Sequence, residues 1–221
     1  THALKRILND PESHQYYSYK LDVRNYFNSI DVDLLMPILK GLLSDDLPLY
    51  DFLTQQLSNP RVFDEGELVE EKKGVMAGMP YAVFLANVFL TPMDRMFEQL
   101  SGVVYCRYSD DIIIFSKDKD LLNKAKECMH GYLCELNLEI NTDKEIETQP
   151  GEPWTFLGFE CDGKNIDVSK VSAQKLKSKM KRKAKALRRW AEISGKDGWM
   201  AARAFIKHFN KKLYTSESNS E

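Results

Sequence analysis

The pattern of apolar and polar positions predicts strands in two parts of the chain, in one by alternation and in the other by apolar runs of strand length. In residues 17–23 (YSYKLDV) every second side chain is apolar, and Asp22 falls on the opposite face. Residues 103–115 (VVYCRYSDDIIIF) contain two runs of strand length that are rich in β-branched and aromatic residues. Asp110 and Asp111 lie between these runs, so we expect them at the tip of a β-hairpin.

Longer stretches have the 3.6-residue spacing of amphipathic helices. One helix is predicted from the N-cap candidate Asp31, and LPLYDFLTQQLSN and KDLLNKAKECMHGYLCELNL each predict another. PYAVFLANVFLTPMDRMFEQL is interpreted as one long apolar helix with a polar Asn87 buried inside it. A hairpin around residues 65–66 and short strands turning at Gly158 and near residues 162–163 complete an α+β pattern.

Composition places the chain among soluble globular proteins. Of its 221 residues 43% are hydrophobic and 29% are charged, and no apolar run is long enough to span a bilayer. No signal peptide is recognisable, and the four cysteines form no CxxC pair, so we expect reduced, packing cysteines and a cytoplasmic location.

The charge is unevenly distributed along the chain. Residues 170–189 hold ten Lys and Arg and no acid, although the whole chain has a net charge of −2. An apolar stripe at helical spacing runs through this segment, so the basic side chains cover the remaining faces of one helix. A solvated helix would explain the pattern, but such a charge split favours a polyanionic partner.

The acidic pair is the main candidate for chemistry. Asp110 and Asp111 alone are also compatible with a solvated turn, since Asp suits turns. However, an apolar strand follows them directly, and Asp22 ends another predicted strand. Three converging carboxylates would repel one another unless cations neutralised them. Hard oxygen ligands favour Mg²⁺, and two such ions serve phosphoryl or nucleotidyl transfer.

Five motifs in a fixed order carry a resemblance to one family. YSDD at residues 108–111 resembles the YxDD signature of reverse transcriptases, and residues 20–30 (KLDVRNYFNSI) resemble their motif A. Residues 74–90 (GVMAGMPYAVFLANVFL) resemble motif B, residues 136–144 (LNLEINTDK) motif D, and residues 156–159 (FLGF) motif E. The chain is therefore identified as a member of the prokaryotic reverse transcriptases, which serve group II introns, retrons, diversity generation, CRISPR adaptation and phage defence.

The resemblance implies an architecture and a reaction. Residues 1–165 would form a polymerase palm, a ferredoxin-like antiparallel sheet with helices on one face. Residues 166–221 would form a basic helical thumb segment with a disordered tail. The family's fingers region would precede residue 1, so we expect weak or no primer extension by this chain alone. The reaction would add dNTPs to the 3′-hydroxyl of a DNA or RNA primer on an RNA template.

The resemblance also implies site residues. Asp22, Asp110 and Asp111, with the backbone carbonyl of Val23, would hold two Mg²⁺ ions, which Mn²⁺ could replace. Phe27 would be the steric gate that excludes the 2′-hydroxyl of ribonucleotides. The alternative for Phe27 is a core aromatic that opens the following helix.

Motifs B and D add nucleotide-binding positions. Gly74 and Gly78 would let the backbone approach the nucleotide and template closely. Ala77 stands where the family usually has Gln, which bears on template handling and fidelity. Asn87 is expected to bond neighbouring backbone. Lys144 would assist at the pyrophosphate, although a lone lysine is usually a solvated surface residue.

Two further groups are expected to contact nucleic acid. Leu157 and Gly158 match the primer-grip turn. The thumb helix would contact phosphates independently of sequence through its basic residues, namely Lys175, Lys179, Arg182, Lys183 and Arg189.

Three other functions remain open at this point. An RNA-dependent RNA polymerase also has a palm with paired aspartates, but Phe27 and the LAN and FLG runs argue against it. The missing Gln keeps an untemplated polymerase open. A catalytically silent RNA-binding scaffold would have no reason to retain three mutually repelling carboxylates.

Overall fold

The structure is a computed structural model in which the chain divides into two compact units. The first unit runs to Leu157 and includes Cys161–Ile166, and the second comprises Gly158–Glu160 and the residues from Asp167 onward. The described residues are 2–57, 61–64, 67–70, 81–163 and 165–213.

The first unit combines seven labelled helices with a central sheet within its described residues. The helices are α1 (His2–Asn9), α2 (Tyr26–Ser29), α3 (Val32–Leu42), α4 (Leu47–Leu57), α5 (Ala82–Phe89), α6 (Thr91–Glu98) and α7 (Lys119–Glu135). The strands are β1 (Tyr17–Asp22), β2 (Arg61–Asp64), β3 (Glu67–Glu70), β4 (Val104–Tyr108), β5 (Asp111–Ser116) and β6 (Ile146–Thr148). Three short strands follow at the boundary between the units: β7 (Trp154–Phe156), β8 (Phe159–Cys161) and β9 (Ile166–Val168).

The central sheet is antiparallel and has the strand order β4-β5-β1-β6. Strands β4 and β5 form the hairpin expected around the acidic pair, and β1 lies beside β5 with Tyr17 opposite Ser116 and Asp22 opposite Asp111. Directly opposed residues in an antiparallel pair project from the same face. The register therefore brings Asp22 and Asp111 to one face at one end of the sheet.

The two faces of the sheet are buried against different helices. Leu21, Ile112 and Ile114 are fully buried in the main core, which includes residues of α3, α5, α6 and α7. Ile113 and Phe115, which project from the opposite face, pack with Ile7 of α1. The sheet with its principal helical layer confirms the expected α+β fold, and α1 adds a cover on the second face that the pattern did not predict.

The predicted helices are confirmed, with one difference in motif B. The expected single long helix is interrupted at Leu90, which separates α5 from α6. Pro92 lies in the first turn of α6, and proline has no N–H with which to continue a helical hydrogen-bond ladder. The apolar stripe is nevertheless buried as expected, with Leu85, Phe89 and Met93 fully enclosed.

The second unit contains two helices, α8 (Lys170–Ile193) and α9 (Gly198–Leu213). Ser169 caps α8 by accepting a hydrogen bond from the backbone N–H of Ser172 at 3.2 Å. Along the predicted apolar stripe of α8, Ala191 is buried while Ala184 is exposed. The described helices include none with the length and hydropathy of a transmembrane span.

All four cysteines are free. Cys106 and Cys161 are buried, as predicted for packing residues. The same prediction is wrong for Cys128 and Cys134, which are exposed on α7 because they lie outside its buried stripe.

Candidate active site

The acidic pair lies at a tight turn between two strands. Tyr108 pairs with Asp111, so Ser109 and Asp110 alone connect β4 to β5. Ser109 has a left-handed backbone with φ of 57°. The carbonyl of Asp110 accepts a hydrogen bond from the backbone N–H of Val23 at 3.3 Å. This bond joins the hairpin tip to the end of β1.

Asp22 is nearly buried and its carboxylate is bonded on both oxygens. Lys144 Nζ lies 2.8 Å from Oδ2, and Asn141 Nδ2 donates to Oδ1 at 3.2 Å. The backbone N–H of Asn141 also donates to the carbonyl of Asp22 at 2.8 Å. Residues 141–144 therefore enclose the end of β1 and bring a cation to an acidic side chain that is only 7% exposed.

The pKa of Lys144 is raised by the three carboxylates of the acidic cluster. Its hydrogen bond to Asp22 is the main cause that raises the pKa of Lys144, and the charges of Asp22, Asp111 and Asp110 add to the effect. The ammonium group thus stays protonated at neutral pH and partly neutralises the carboxylates.

The pKa of Asp111 is also raised, but here the charged form is disfavoured. Burial is the main cause that raises the pKa of Asp111, and the charges of Asp110 and Asp22 raise it further, against the lowering by Lys20 and Lys144. Lys20 Nζ is 3.8 Å from Asp111 Oδ1. The three carboxylates are therefore close enough to repel one another, and two lysines offset part of this repulsion.

One open cleft of about 550 Å³ is lined by two of the three predicted catalytic carboxylates and by three other predicted site residues, whereas Asp111 is not among its lining residues. Asp22, Val23, Phe27, Asp110 and Lys144 all line it. Five other residues line the cleft and were not predicted as site residues, namely Arg24, Asn25, Tyr26, Asn28 and Asn141. Asn141 falls within the motif D run, but an amide side chain carried no signal that it would reach Asp22.

Phe27 has features of both of its interpretations. It lies in the short helix α2, its ring centroid is 5.8 Å from that of Tyr26, and it packs against the main core. It also lines the acidic cleft. A partly buried ring that faces the cleft is held in a fixed position by the packing behind it.

The remaining predicted residues lie elsewhere or outside the described residues. Leu157 and Gly158 form the turn between β7 and β8, with φ of 51° and 83°. The predicted basic residues lie on α8 of the second unit, where Lys183 is half-buried and the other four are exposed. Gly74, Ala77 and Gly78 fall outside the described residues.

Asn87 differs from its prediction in one respect. It is exposed on α5, so the expectation of a buried amide is wrong, because this position lies off the apolar stripe. The predicted backbone bond is present: Asn87 Nδ2 donates to the carbonyl of Val83 at 3.0 Å.

The donor set suits a hard divalent cation. Mg²⁺ is usually held by one or two carboxylates together with substrate phosphates, and Asp22 and Asp110 open onto one cleft. The 2.8 Å approach of Lys144 to Asp22 marks a position that already attracts positive charge. Across the described ranges, no three His, Cys, Asp or Glu side chains are grouped tightly enough to hold a metal by themselves.

An antiparallel sheet with paired aspartates at the tip of its β4–β5 hairpin, beside the end of β1, is the arrangement of a polymerase palm. The sequence profile of the reverse transcriptase (RNA-dependent DNA polymerase) family matches residues 2–161. The chain belongs to this family, as its motifs predicted.

Two curated relatives illustrate the breadth of the match. The retron Ec83 reverse transcriptase of Escherichia coli is 28% identical over 131 residues, which cover 56% of this chain and 40% of the relative. Protein P of duck hepatitis B virus (isolate brown Shanghai duck S5) is 22% identical over 190 residues, covering 85% of this chain and 23% of the relative. The chain thus spans less than half the length of either protein.

Solved structures of telomerase share the fold. Apo telomerase from Candida tropicalis, truncated from its C-terminal domain, superposes with a TM-score of 0.62 at 18% identity, over 76% of this chain and 40% of that one. Telomerase from the same organism in complex with a fragment of telomeric RNA gives 0.61 at 17% identity, over 78% and 32% of the two chains. At this identity the likeness concerns the fold alone.

Proposed function

We propose that this chain is the palm and the base of the thumb of an RNA-directed DNA polymerase that adds dNTPs to a primer 3′-hydroxyl. The single observation that carries the proposal is that Asp22 and Asp110 open onto one cleft together with Phe27 and Lys144. Family membership makes this chemistry the best match to that group of side chains.

The carboxylates have distinct positions in the proposed reaction. Asp22 is oriented by Asn141 and, with Asp110 and the carbonyl of Val23, would hold two Mg²⁺ ions. Asp111 completes the negative charge at the end of the sheet. When bound, two such ions activate the attacking hydroxyl and stabilise the leaving oxygen. The protein itself contributes positioning and charge balance.

Two other residues would select and assist the nucleotide. Phe27 faces the cleft from a packed position, so its ring would collide with a 2′-hydroxyl and favour dNTPs. Lys144, 56% exposed at its side chain, would leave Asp22 and turn toward the departing pyrophosphate. A mobile ammonium suits this role because lysine is a flexible point charge.

Nucleic acid would be held mainly by backbone contacts. Lys175, Lys179 and Arg182 lie four and three residues apart, so they share one side of α8, and all three are exposed. Arg189 lies two turns further along α8 on the same side. Half-buried Lys183 lies next to Arg182 in the sequence, at the edge of this side. We assign residues 166–221 to the thumb segment and residues 1–165 to the palm, with Leu157 and Gly158 as the primer-grip turn. RNA would be the template, as the family description implies.

Primer extension tests the proposal directly. The assay uses this chain and the complete natural protein with an RNA template, a DNA or RNA primer, dNTPs and Mg²⁺. Asp110→Asn should lower extension by about a hundredfold or more, since it removes a ligand worth several kcal/mol at the transition state. RNA affinity, measured by fluorescence anisotropy, should remain close to that of wild type.

Asp51→Asn is the matched control, because Asp51 is an exposed carboxylate on α4. Equal extension by the Asp110→Asn and Asp51→Asn variants would refute the assigned site. Extension without template would indicate an untemplated polymerase, and preference for ribonucleotides an RNA polymerase. RNA binding without any synthesis would leave the scaffold function.

A further inference from the structure

Arg107 links the hairpin tip to the motif B helices. Its Nε donates to Asp94 Oδ1 at 2.8 Å, and its Nη2 bonds the other oxygen of the same carboxylate on α6. Its Nη1 donates to Asn87 Oδ1 on α5 and to the carbonyl of Ser109, each at 3.1 Å. One guanidinium therefore joins β4, α5, α6 and the catalytic turn.

The turn that it contacts has an unfavourable backbone. Ser109 adopts a left-handed conformation with φ of 57°, in which the Cβ of a residue other than glycine lies too close to the following carbonyl oxygen. Such a conformation persists where the surroundings fix it. Here the carbonyl of Ser109 is held by Arg107 and the next carbonyl, of Asp110, by the N–H of Val23. The tip is thus fixed from two sides.

The guanidinium of Arg107 is buried and stays charged. Its side chain is only 8% exposed. Burial alone would lower the pKa of Arg107, but the hydrogen bond and charge of Asp94 outweigh this and raise it. Tyr105 donates a further hydrogen bond to Asp94 at 2.7 Å, which fixes the carboxylate. The planar fork of arginine holds five donors in fixed, spread directions and so reaches acceptors on several elements, whereas a lysine ammonium presents three donors from a single nitrogen.

Resting on the function proposed above, we infer that Arg107 is a positioning residue for Asp110. Through the carbonyl of Ser109 it fixes the hairpin tip, and through Asn87 it ties the tip to the helix of motif B. The competing interpretation is an ion pair with Asp94 that only stabilises the fold. Arg107→Lys separates the two, because it keeps the charge and the pairing with Asp94 but loses the simultaneous contacts to Asn87 and Ser109.

Amide hydrogen exchange reports on the tip without any catalytic turnover. The N–H of Val23 bonds Asp110 and is the reporter. After correction for global stability from urea unfolding, Arg107→Lys should speed exchange of this amide by about tenfold, the factor expected for loss of one charge-assisted hydrogen bond. Asn87→Ala leaves the Asp94 pair intact and should speed exchange by about threefold. If Arg107→Lys does not fold, the exchange of Val23 in Asn87→Ala still tests the inference.

The control removes an ion pair at the far end of the same hairpin. Lys117 lies just beyond β5 and pairs with Asp10 at 3.3 Å and Glu12 at 2.7 Å. Lys117→Gln should change global stability without selective exchange at Val23. Equal corrected exchange at Val23 in the Arg107→Lys and Lys117→Gln variants would overturn the inference.

Kinetics separate this inference from the proposed function. In primer extension, Arg107→Lys should raise the Mg²⁺ concentration for half-maximal rate by about three- to tenfold and leave the KM for dNTPs within about twofold. Unchanged kcat and Mg²⁺ dependence would refute the positioning role while leaving the polymerase assignment intact. Selective exchange at Val23 in Arg107→Lys, together with no nucleotide addition by the complete natural wild-type protein, would retain the positioning role and refute the polymerase assignment.

Discussion

The contact between Lys144 and Asp22 should stabilise the metal-free protein and weaken the binding of a divalent cation. Lys144→Met removes the ammonium that lies 2.8 Å from Asp22 Oδ2 and keeps most of the aliphatic side chain. Without that ammonium, the nearly buried carboxylate keeps its bond from Asn141 but loses its nearest cation. The metal-free protein should therefore become less stable, while a divalent cation should bind more tightly.

The magnitude follows from the geometry of the pair. At 2.8 Å, an effective dielectric constant of about 20 gives an attraction of about 6 kcal/mol. Desolvation of Asp22 opposes this, and Lys144 is 56% exposed, so the net contribution falls to about 1–2 kcal/mol. A metal that no longer has to displace the ammonium should bind about 5- to 30-fold more tightly.

Two measurements and one control test this prediction. Urea unfolding without metal gives the free energy of unfolding, and electron paramagnetic resonance of free Mn²⁺ gives the dissociation constant. Lys124→Met is the control, because Lys124 is an exposed lysine on α7. Nucleotide addition by Lys144→Met should still fall, since the cation at the pyrophosphate is lost. Unchanged or weaker Mn²⁺ binding would refute the competition between Lys144 and the metal.

The pH dependence supplies an independent check. Because the folded state raises the pKa of Lys144, the stability from this pair is fully present below the ordinary lysine pKa of about 10.4. It is lost as the pH rises through the raised folded value. The unfolding free energies of wild type and Lys144→Met should therefore converge as the pH rises through that raised folded pKa. A constant difference across this range would show that the ion pair is not its source.

Three further predictions concern separate parts of the chain. Burial is the main cause that raises the pKa of Asp111 in the folded state, so protonated Asp111 is tolerated there better than the charged form. Its favourable effect on folding is therefore complete below about pH 3.9 and is lost as the pH rises through the folded pKa. Asp111→Asn should thus stabilise the metal-free chain by up to about 1 kcal/mol at pH 7 in urea unfolding, an advantage absent below about pH 4. Phe27→Ala should raise ribonucleotide relative to deoxyribonucleotide incorporation by about 10- to 100-fold in single-nucleotide extension, and unchanged selectivity would leave Phe27 a core residue. Replacing Lys175, Lys179 and Arg182 by Gln should reduce the salt slope of RNA binding by about 2–3, and an unchanged slope would exclude phosphate contacts by these residues.

The local part of the fold could be predicted because it depends on short-range patterns. Period-2 alternation marked β1, and a short β-branched apolar run marked β5. The cap at Asp31 marked the start of α3, where its side chain accepts a hydrogen bond from the N–H of Asp33. The break between α5 and α6 also had a local signal in Pro92. The apolar stripe, however, continues across the break and by itself predicts one uninterrupted helix.

The contacts that organise the site were not predictable in the same way. Asn141 and Lys144 reach Asp22 across 119 and 122 residues of sequence, and Arg107 reaches Asp94 across 13. Side chains that meet through tertiary folding leave no period in the sequence. The motifs located the proposed catalytic residues, whereas the groups that bond to those residues could be identified only from the tertiary structure.

The cations around the acidic cluster fall into two kinds, and the difference matches what the proposed reaction requires. Lys144 is more than half exposed at its side chain, so its ammonium can move away from Asp22 when a metal or a phosphate arrives. Arg107 is 8% exposed and bonded on several sides, so its charge is permanent and serves the architecture. Exchanging the two residue types would therefore harm the site in different ways. An arginine at position 144 would hold Asp22 in a bidentate pair that a metal displaces with difficulty, and a lysine at position 107 would free the tip that carries Asp110.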